Sequence, residues 1–337
     1  MNTVVTDPFN VAADPQMPFL AWALNPREVQ HQFEHCLPSL ATRQHQFHLH
    51  AIRVTRYKPG RRCLIEYDIG KEEAGVITLI GKARARGLDR STYQLLESLW
   101  EAGFRVDSQD GIGVPKPIGV ISKFQMWLQS KAPGVAASRL LAQPDGVALA
   151  RRIAEAIHKL HQTGIQSNRR HTMAEELRIL HERLPLVAQM KPLWVNRLER
   201  ILEACDRIGA TIPEPRFQGV HRDFYSDHVI VDETRLYLVD FDLYCEGDPG
   251  LDVGNFVAHL TEQSLRALGD PNALRNREQA LEERFIELAG EATQAAVRAY
   301  SILTLVRHIY LSTQFSERRP HTGSLLTLCE ARLGLRG

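Results

Sequence analysis

The chain has 337 residues, 44% apolar and 24% charged, enough to bury one large core or two smaller ones. Its 41 lysines and arginines nearly balance 40 acids, for a net charge of +1, so no overall field recruits nucleic acid or an anionic membrane surface. The five cysteines are scattered without a C-x-x-C pair, which fits neither a zinc ribbon nor a disulfide framework and suits a reducing cytoplasm.

In chain order, the first residues carry no basic segment, and the apolar stretch from Met17 to Leu24 is far too short to cross a bilayer. The expectation is a cytoplasmic protein with no membrane partner. Asn25-Pro26-Arg27-Glu28 predicts a helix start, with Asn as N-cap, Pro at the first helical position and Glu closing a capping box, and an end near Cys36. From Phe47 the pattern changes to alternation: FHLHAIRVTRY, a Lys58-Pro59-Gly60 turn, RCLIEYDI, a polar turn at Gly70 to Gly75, then VITLIGKA. These read as a three-stranded antiparallel meander. Leu95, Leu96, Leu99 and Trp100 mark a helix between Leu88 and Ala102, capped by Asp89 or Ser91. Two more strands are expected at Val120 to Ser122 and Phe124 to Gln129, before a break at Ala132-Pro133-Gly134.

Beyond that break the chain reads as mostly helical. Leu149, Ile153, Ala156, Ile157 and Leu160 form one stripe ending at Gly164, and Ala292 to Gln314 is a long amphipathic segment. One β-rich island interrupts the helices, Gln218 to Asp242. In it HVIV and LYLVDF flank a tight turn, so a hairpin pairing Val231 with Leu236 sets His228 opposite Val239, beside Asp240. Asp223 precedes His228 by five residues in a loop, which gathers three polar groups. Such a group can serve phosphoryl transfer, which needs a base for the attacking hydroxyl and hard oxygen ligands for Mg²⁺ on the nucleotide phosphates. A charged turn beside a hairpin has the same spacing, and this alternative stays open on the residues alone.

His221-Arg222-Asp223, His228 five positions on, Val239-Asp240-Phe241 and Gly247-Asp248-Pro249-Gly250-Leu251-Asp252-Val253 resemble the motifs of the aminoglycoside phosphotransferase and choline kinase superfamily. There the pattern is H-x-D-x-x-x-x-N, an Asp after a hydrophobic hairpin, then G-D-P-x-x-D. The Leu160-His161 helix end resembles that family too. The resemblance implies an α+β, protein-kinase-like fold of two lobes: residues 1–130 an antiparallel-sheet nucleotide-binding lobe, residues 131–337 a larger helical lobe for catalysis and substrate. It implies ATP and Mg²⁺ as cofactors and a hydroxylated small molecule as substrate, in a monomer or homodimer.

By the same resemblance Asp223 is the catalytic base, Asp240 the principal Mg²⁺ ligand, and Asp252 a brace for the catalytic loop. Lys82 stands where a lysine meets the nucleotide phosphates. Glu97, or Glu101 one turn later, would hold that lysine, and Arg62 or Arg61 in the Lys58–Arg62 turn would add charge where a glycine-rich loop is missing. Gln129, at the end of the last strand of that lobe, joins the nucleotide-binding set.

The largest departure is His228 in place of Asn, since imidazole prefers softer metals than Mg²⁺. Either neutral His228 still ligates or hydrogen-bonds, or Asp242 supplies the missing oxygen. Because His228 departs, a nucleotide-binding pseudokinase is the alternative to an enzyme. A protein kinase is a third reading, disfavoured because only seven residues separate Asp240 from Asp248, too few for an activation segment. Glu262, Glu282, Glu283 and Glu287 could draw a cationic acceptor such as an aminoglycoside or amino alcohol, although acids on helix surfaces are more often merely solvated. Gly75 to Ala83 lacks the spacing and hydroxyl of a Walker A loop, and the pairs His31/His35 and His48/His50 lack companion ligands for a metal.

Overall fold

The computed structural model describes residues 3–37, 47–71 and 75–335. By internal contacts the chain divides into two units, Met1–Pro133 and Gly134–Gly337, each with its own core. No helix among the described residues is long and apolar enough to cross a membrane.

In the first unit, β1 (Val4–Thr6) precedes helix α1 (Pro26–Cys36). The long strands β2 (His48–Lys58), β3 (Arg62–Lys71) and β4 (Gly75–Arg84) form the expected antiparallel meander; part of the turn expected at Gly70 to Gly75, residues 72–74, lies outside the described residues. Helix α2 (Arg90–Glu101), then β5 (Pro117–Ile121) and β6 (Met126–Ser130), complete a sheet of order β1-β2-β3-β4-β6-β5. In β3 Cys63, Ile65, Tyr67 and Ile69 are buried at every second position, so one face of the sheet meets Phe33 of α1 and Phe47. Each such side chain contributes about 1.5–3 kcal/mol on burial.

One strand was not expected from sequence, and two local expectations need correction. β1, which pairs in parallel with Ala51–Arg53 of β2, is too short for a periodic signal. The strands expected at Val120–Ser122 and Phe124–Gln129 start earlier and later, because Ser122–Phe124 is a 3-10 turn that reverses the chain. At α1, Asn25 accepts from the Arg27 and Glu28 amides (3.1 and 3.2 Å), but Glu28 does not close the box. The Asn25 amide already donates to Trp22 O, and the Glu28 carboxylate pairs with Lys123 at 2.7 Å. α2 takes Asp89 as its cap.

The second unit begins with the two-residue strand β7 (Val135–Ala136) and the helices α3 (Gly146–His161), α4 (Met173–Met190) and α5 (Val195–Thr211). Next come β8 (Gln218–Val220), β9 (Val229–Asp232), β10 (Arg235–Leu238) and β11 (Cys245–Gly247). Helices α6 (Pro249–Leu268), α7 (Arg275–Ala289), α8 (Gln294–Thr313) and α9 (Thr322–Arg332) follow. β9 lies between β7 and β10, and β8 pairs with β11. The core joins Leu180, Leu198, Leu251, Leu303, Ile309 and Leu325 from five helices.

α6 and α8 lie against each other at Gly254, where a Cβ would stand 2.7 Å from Val297 O and Ser301 N. Only glycine permits that approach. The start of α6 is set by Asp248, which accepts from the Gly250 amide at 2.8 Å, and by Pro249 at its first turn. Its position matters because α6 carries the groups that hold the loop preceding β9.

Candidate active site

The β9–β10 hairpin has the register read from its alternation: Val231 stands opposite Leu236, and the Val239 amide donates to His228 O at 3.0 Å. His228 and Asp240 are therefore neighbours across the hairpin mouth, with His228 Nε2 3.5 Å from Asp240 Oδ2. On the other side of the ring, His228 Nδ1 is 2.7 Å from the Asp223 carbonyl oxygen and 3.8 Å from Asp223 Oδ2. One imidazole thus separates the two carboxylates that the motif singled out. It is only 8% exposed, whereas the Asp223 and Asp240 side chains are 41% and 25% exposed. The carboxylates face outward from a buried ring.

The loop Val220–His228 is held in shape from α6. Asp252, fully buried, accepts from the His221 amide (2.8 Å), the Arg222 amide (2.7 Å) and His161 Nε2 (2.9 Å). Three donors around one buried carboxylate satisfy a charge that burial would otherwise penalise by several kcal/mol. They also hold Arg222 in the left-handed region (φ 69°), a conformation that costs a non-glycine residue about 1–3 kcal/mol and turns the chain so that Asp223 follows. One turn along the helix, Asn255 Nδ2 donates to Phe224 O at 2.9 Å. Arg307 donates to Asn255 Oδ1 (2.7 Å) and to Glu176 (2.9 Å), and His171 closes the series on Glu176 at 2.6 Å.

Asn255, Arg307, Glu176 and His171 were not singled out from sequence. A signal existed for Asn255, a polar residue three positions after Asp252 inside an otherwise apolar helix start. The other three lie 44 to 79 residues from the loop they support and leave no local pattern.

Asp240 also adopts the left-handed region (φ 67°), at the start of the turn Phe241–Leu243. Asp242 lies in that turn, and its carbonyl accepts from Arg169 Nη1 at 3.0 Å. The residues from Phe241 to Gly247 are consumed by the turn and by β11, so α6 begins at once. Burial lowers the His228 pKa, reinforced by His221 and opposed by Asp223 and Asp240. Nδ1 faces a carbonyl, which can only accept, so it carries the proton.

Among the described residues no group of three or more His, Cys, Asp or Glu side chains is arranged to hold a metal ion by itself. The donor set still fits a divalent ion shared with a bound phosphate, since such ions are held by one or two carboxylates plus substrate oxygens rather than by an all-protein cage. The pair His31/His35 is stacked, with ring centroids 4.2 Å apart, and His35 Nδ1 donates to His31 O.

In the first unit, Lys82 lies on β4 opposite Trp127 of β6, its ammonium 5.2 Å from the ring centroid. Glu97 is half-buried on α2 and accepts from the Tyr93 hydroxyl. Gln129 is buried on β6, opposite Ile80 and Pro117. Arg62 begins β3 opposite Lys58. Arg62, burial, Arg56 and Arg61 all lower the Lys58 pKa, so the β2–β3 turn is a concentration of positive charge. The turn is tied down by Asp14, which accepts from Tyr57 Oη (2.7 Å) and the Gly60 amide (2.9 Å). A side chain at Gly60 would collide with Gln16, and its φ of +59° also favours glycine.

Three of the four acids that could draw a cationic acceptor are already paired. Glu262 is buried and paired with Arg266 (2.9 Å), Glu282 pairs with Arg298 (3.2 Å), and Glu287 pairs with Arg284 and Arg151 (both 3.0 Å). Arginine has already neutralised these three charges.

Solved structures with the same fold include a choline/ethanolamine kinase family protein from Mesorhizobium loti, with TM-score 0.59 and 14% identity over 91% of this chain and 94% of that one. A Plasmodium vivax ethanolamine kinase matches with TM-score 0.56 and 12% identity over 90% and 87%. A thermostable mutant of the aminoglycoside phosphotransferase APH(4)-Ia, in ternary complex with AMP-PNP and hygromycin B, matches with TM-score 0.57 and 16% identity over 91% and 98%. The fold is therefore the α+β, kinase-like one, a small antiparallel-rich sheet unit followed by a larger helical unit. No curated protein matches by sequence. The model of the phosphotransferase enzyme family matches residues 84–291, more than half of the chain. The chain belongs to that phosphotransferase family, as its resemblance to aminoglycoside phosphotransferases and choline kinases implied.

Proposed function

We propose that this protein transfers the terminal phosphoryl group of ATP to a hydroxyl of a small molecule. The observation that carries the reading is the loop Val220–His228, fastened by Asp252 and Asn255 so that Asp223 and Asp240 flank one buried imidazole, in a chain of the phosphotransferase family. Asp223 is the base: its carboxylate, 41% exposed, accepts the proton of the attacking hydroxyl and aligns that oxygen. A divalent cation bound with the nucleotide, held by Asp240 with His228 or Asp242, neutralises charge on the phosphates.

In the first unit, Lys82 contacts the phosphates and Glu97 holds its ammonium. Arg62 adds positive charge from the turn where Arg56, Lys58 and Arg61 already crowd, and Gln129 contacts the nucleotide. ATP use is supported by the AMP-PNP bound to the aminoglycoside phosphotransferase of like fold. The acceptor class is an amino alcohol, aminoglycoside or sugar, after the kinases that share the fold. Free cysteines at all five positions support a cytoplasmic setting.

The test is ADP release from ATP against a panel of amino alcohols, aminoglycosides and sugars, for the native chain and Asp223→Asn. At least one acceptor should raise turnover above the variant by about 10²–10⁴-fold, the usual contribution of a positioned base. Binding of AMP-PNP with no acceptor-dependent turnover in either protein would establish a nucleotide-binding pseudokinase instead.

A further inference from the structure

A cavity of about 210 Å³ lies in the second unit, walled by the first turn of α4, by residues 212–217 between α5 and β8, by Asp248 and by Tyr300 of α8. Among the described residues, nothing from the loop Val220–His228 or the turn Phe241–Leu243 lines it. At about 30 Å³ for each water of the liquid, it has room for roughly seven waters, or for a molecule of a similar number of heavy atoms. A nucleotide is too large.

Two of its polar groups are buried without a full set of partners. Tyr300 is 2% exposed, and its hydroxyl makes no hydrogen bond among the described residues. Asp248 is 4% exposed, and only its Oδ1 is engaged, by the Gly250 amide at 2.8 Å. Neither the hydroxyl nor Asp248 Oδ2 is sealed from solvent, and the solvent that reaches them is that of the cavity they line. Burial raises the Asp248 pKa, and neighbouring Asp252 adds to the rise; a cation beside this carboxylate relieves both. Arg170, whose guanidinium lies 4.5 Å from the Phe217 ring of the cavity wall, is paired with Glu246 at 3.0 Å and does not supply that cation.

The first turn of α4 supplies the complementary charge. Thr172 caps the helix by accepting from the Glu175 amide, whereas the Met173 and Ala174 amides donate to no acceptor among the described residues. Two free amides at the positive end of a helix of 18 residues attract a carboxylate. Ile212, Pro213, Pro215 and Phe217 make the rest of the wall apolar, and the two prolines have no amide hydrogen to leave unpaired.

We propose that this cavity binds a small apolar α-amino acid, with its ammonium on Asp248 Oδ2 and the Tyr300 oxygen, its carboxylate on the Met173 and Ala174 amides, and its side chain against Ile212 and the prolines. A simple amine leaves the two amides unanswered, and a simple acid leaves Asp248 unanswered. The site stands independently of phosphoryl transfer, and its test needs no turnover.

Calorimetric titration of the full chain with L-valine is compared with isobutylamine, which lacks the carboxylate, and isovalerate, which lacks the ammonium. Valine should bind, and each half should bind at least about tenfold more weakly, as the loss of hydrogen bonds to a charged group requires. In the chain carrying ¹³C-methyl methionine, the Met173 signal, assigned with Met173→Leu, should shift most among the five methionines when valine is added. Asp248→Asn, which keeps an acceptor for the helix cap, should weaken valine binding by at least about tenfold, and Tyr300→Phe by about two- to tenfold.

No binding at millimolar valine, or binding that leaves the Met173 signal in place, overturns the site. Isobutylamine that binds as tightly as valine overturns the amino-acid assignment, because the α4 amides are then idle; isovalerate that does so removes Asp248 from it. The two measurements on the native chain decide the matter even if a variant does not fold.

Discussion

The loop Val220–His228, mostly buried, and the largely exposed turn between β2 and β3 both carry clustered charge, yet they are held in opposite ways. The loop is fastened by buried groups: Asp252 takes two of its amides, Asn255 takes the Phe224 carbonyl, and Arg307, Glu176 and His171 stand behind Asn255. The turn is held at Asp14 and by the Arg61 carbonyl, which accepts from the Ala85 amide, and it crowds Arg56, Lys58, Arg61 and Arg62 until the Lys58 pKa falls. The first arrangement fixes where atoms are, as chemistry at a chosen oxygen requires. The second gathers positive charge that an incoming anion relieves, a binding device that tolerates looser geometry.

The comparison breaks hardest at Asp252. Asp252→Ala strands two loop amides and the His161 ring, so urea denaturation should show a loss of about 3–5 kcal/mol, with turnover abolished even in the folded fraction; a loss under 1 kcal/mol would mean the loop holds its own shape.

Glu176 is the next lever. Burial raises its carboxyl, but the Arg307 guanidinium and His171 outweigh that and hold it down at about 2, against an ordinary 4.5. A depressed carboxylate contributes stability that is full above about pH 4.5 and lost as pH falls toward 2. Stability measured across that window should therefore decline steeply in the native chain and less so in Glu176→Gln; parallel curves would remove Glu176 from the network.

Asn255→Ala sharpens the contrast by uncoupling the loop from its support without removing a charge. It should cost about 1–3 kcal/mol and lower kcat with little change in nucleotide affinity, which steady-state kinetics and nucleotide titration separate. The smallest effect belongs to the turn. Asp14→Ala frees the Gly60 amide and the Tyr57 hydroxyl, whose pKa the hydrogen bond to Asp14 chiefly pushes up to about 12. The expected cost is about 1 kcal/mol, with KM for ATP rising and kcat held. If kcat falls as much as in Asn255→Ala, the turn positions atoms as well.

What the sequence by itself determined is local or periodic. The β2–β3–β4 meander, a cap at Asp89 or Ser91 and the Val231–Leu236 pairing follow from two-residue alternation, short turns and capping chemistry, and the structure takes Asp89. The motif around Asp223, Asp240 and Asp252 was legible because its spacing is carried by one continuous stretch of chain. Tertiary structure alone decided the rest. Glu28 turns to Lys123 rather than to its own helix cap, and Glu262, Glu282 and Glu287 are neutralised by arginines. Asn255 meets an arginine 52 residues away, and the tautomer of His228 is chosen by the carbonyl of Asp223. A side chain's charge is written in its identity, but its partner depends on which distant segments fold against it, and a one-dimensional pattern carries no record of that.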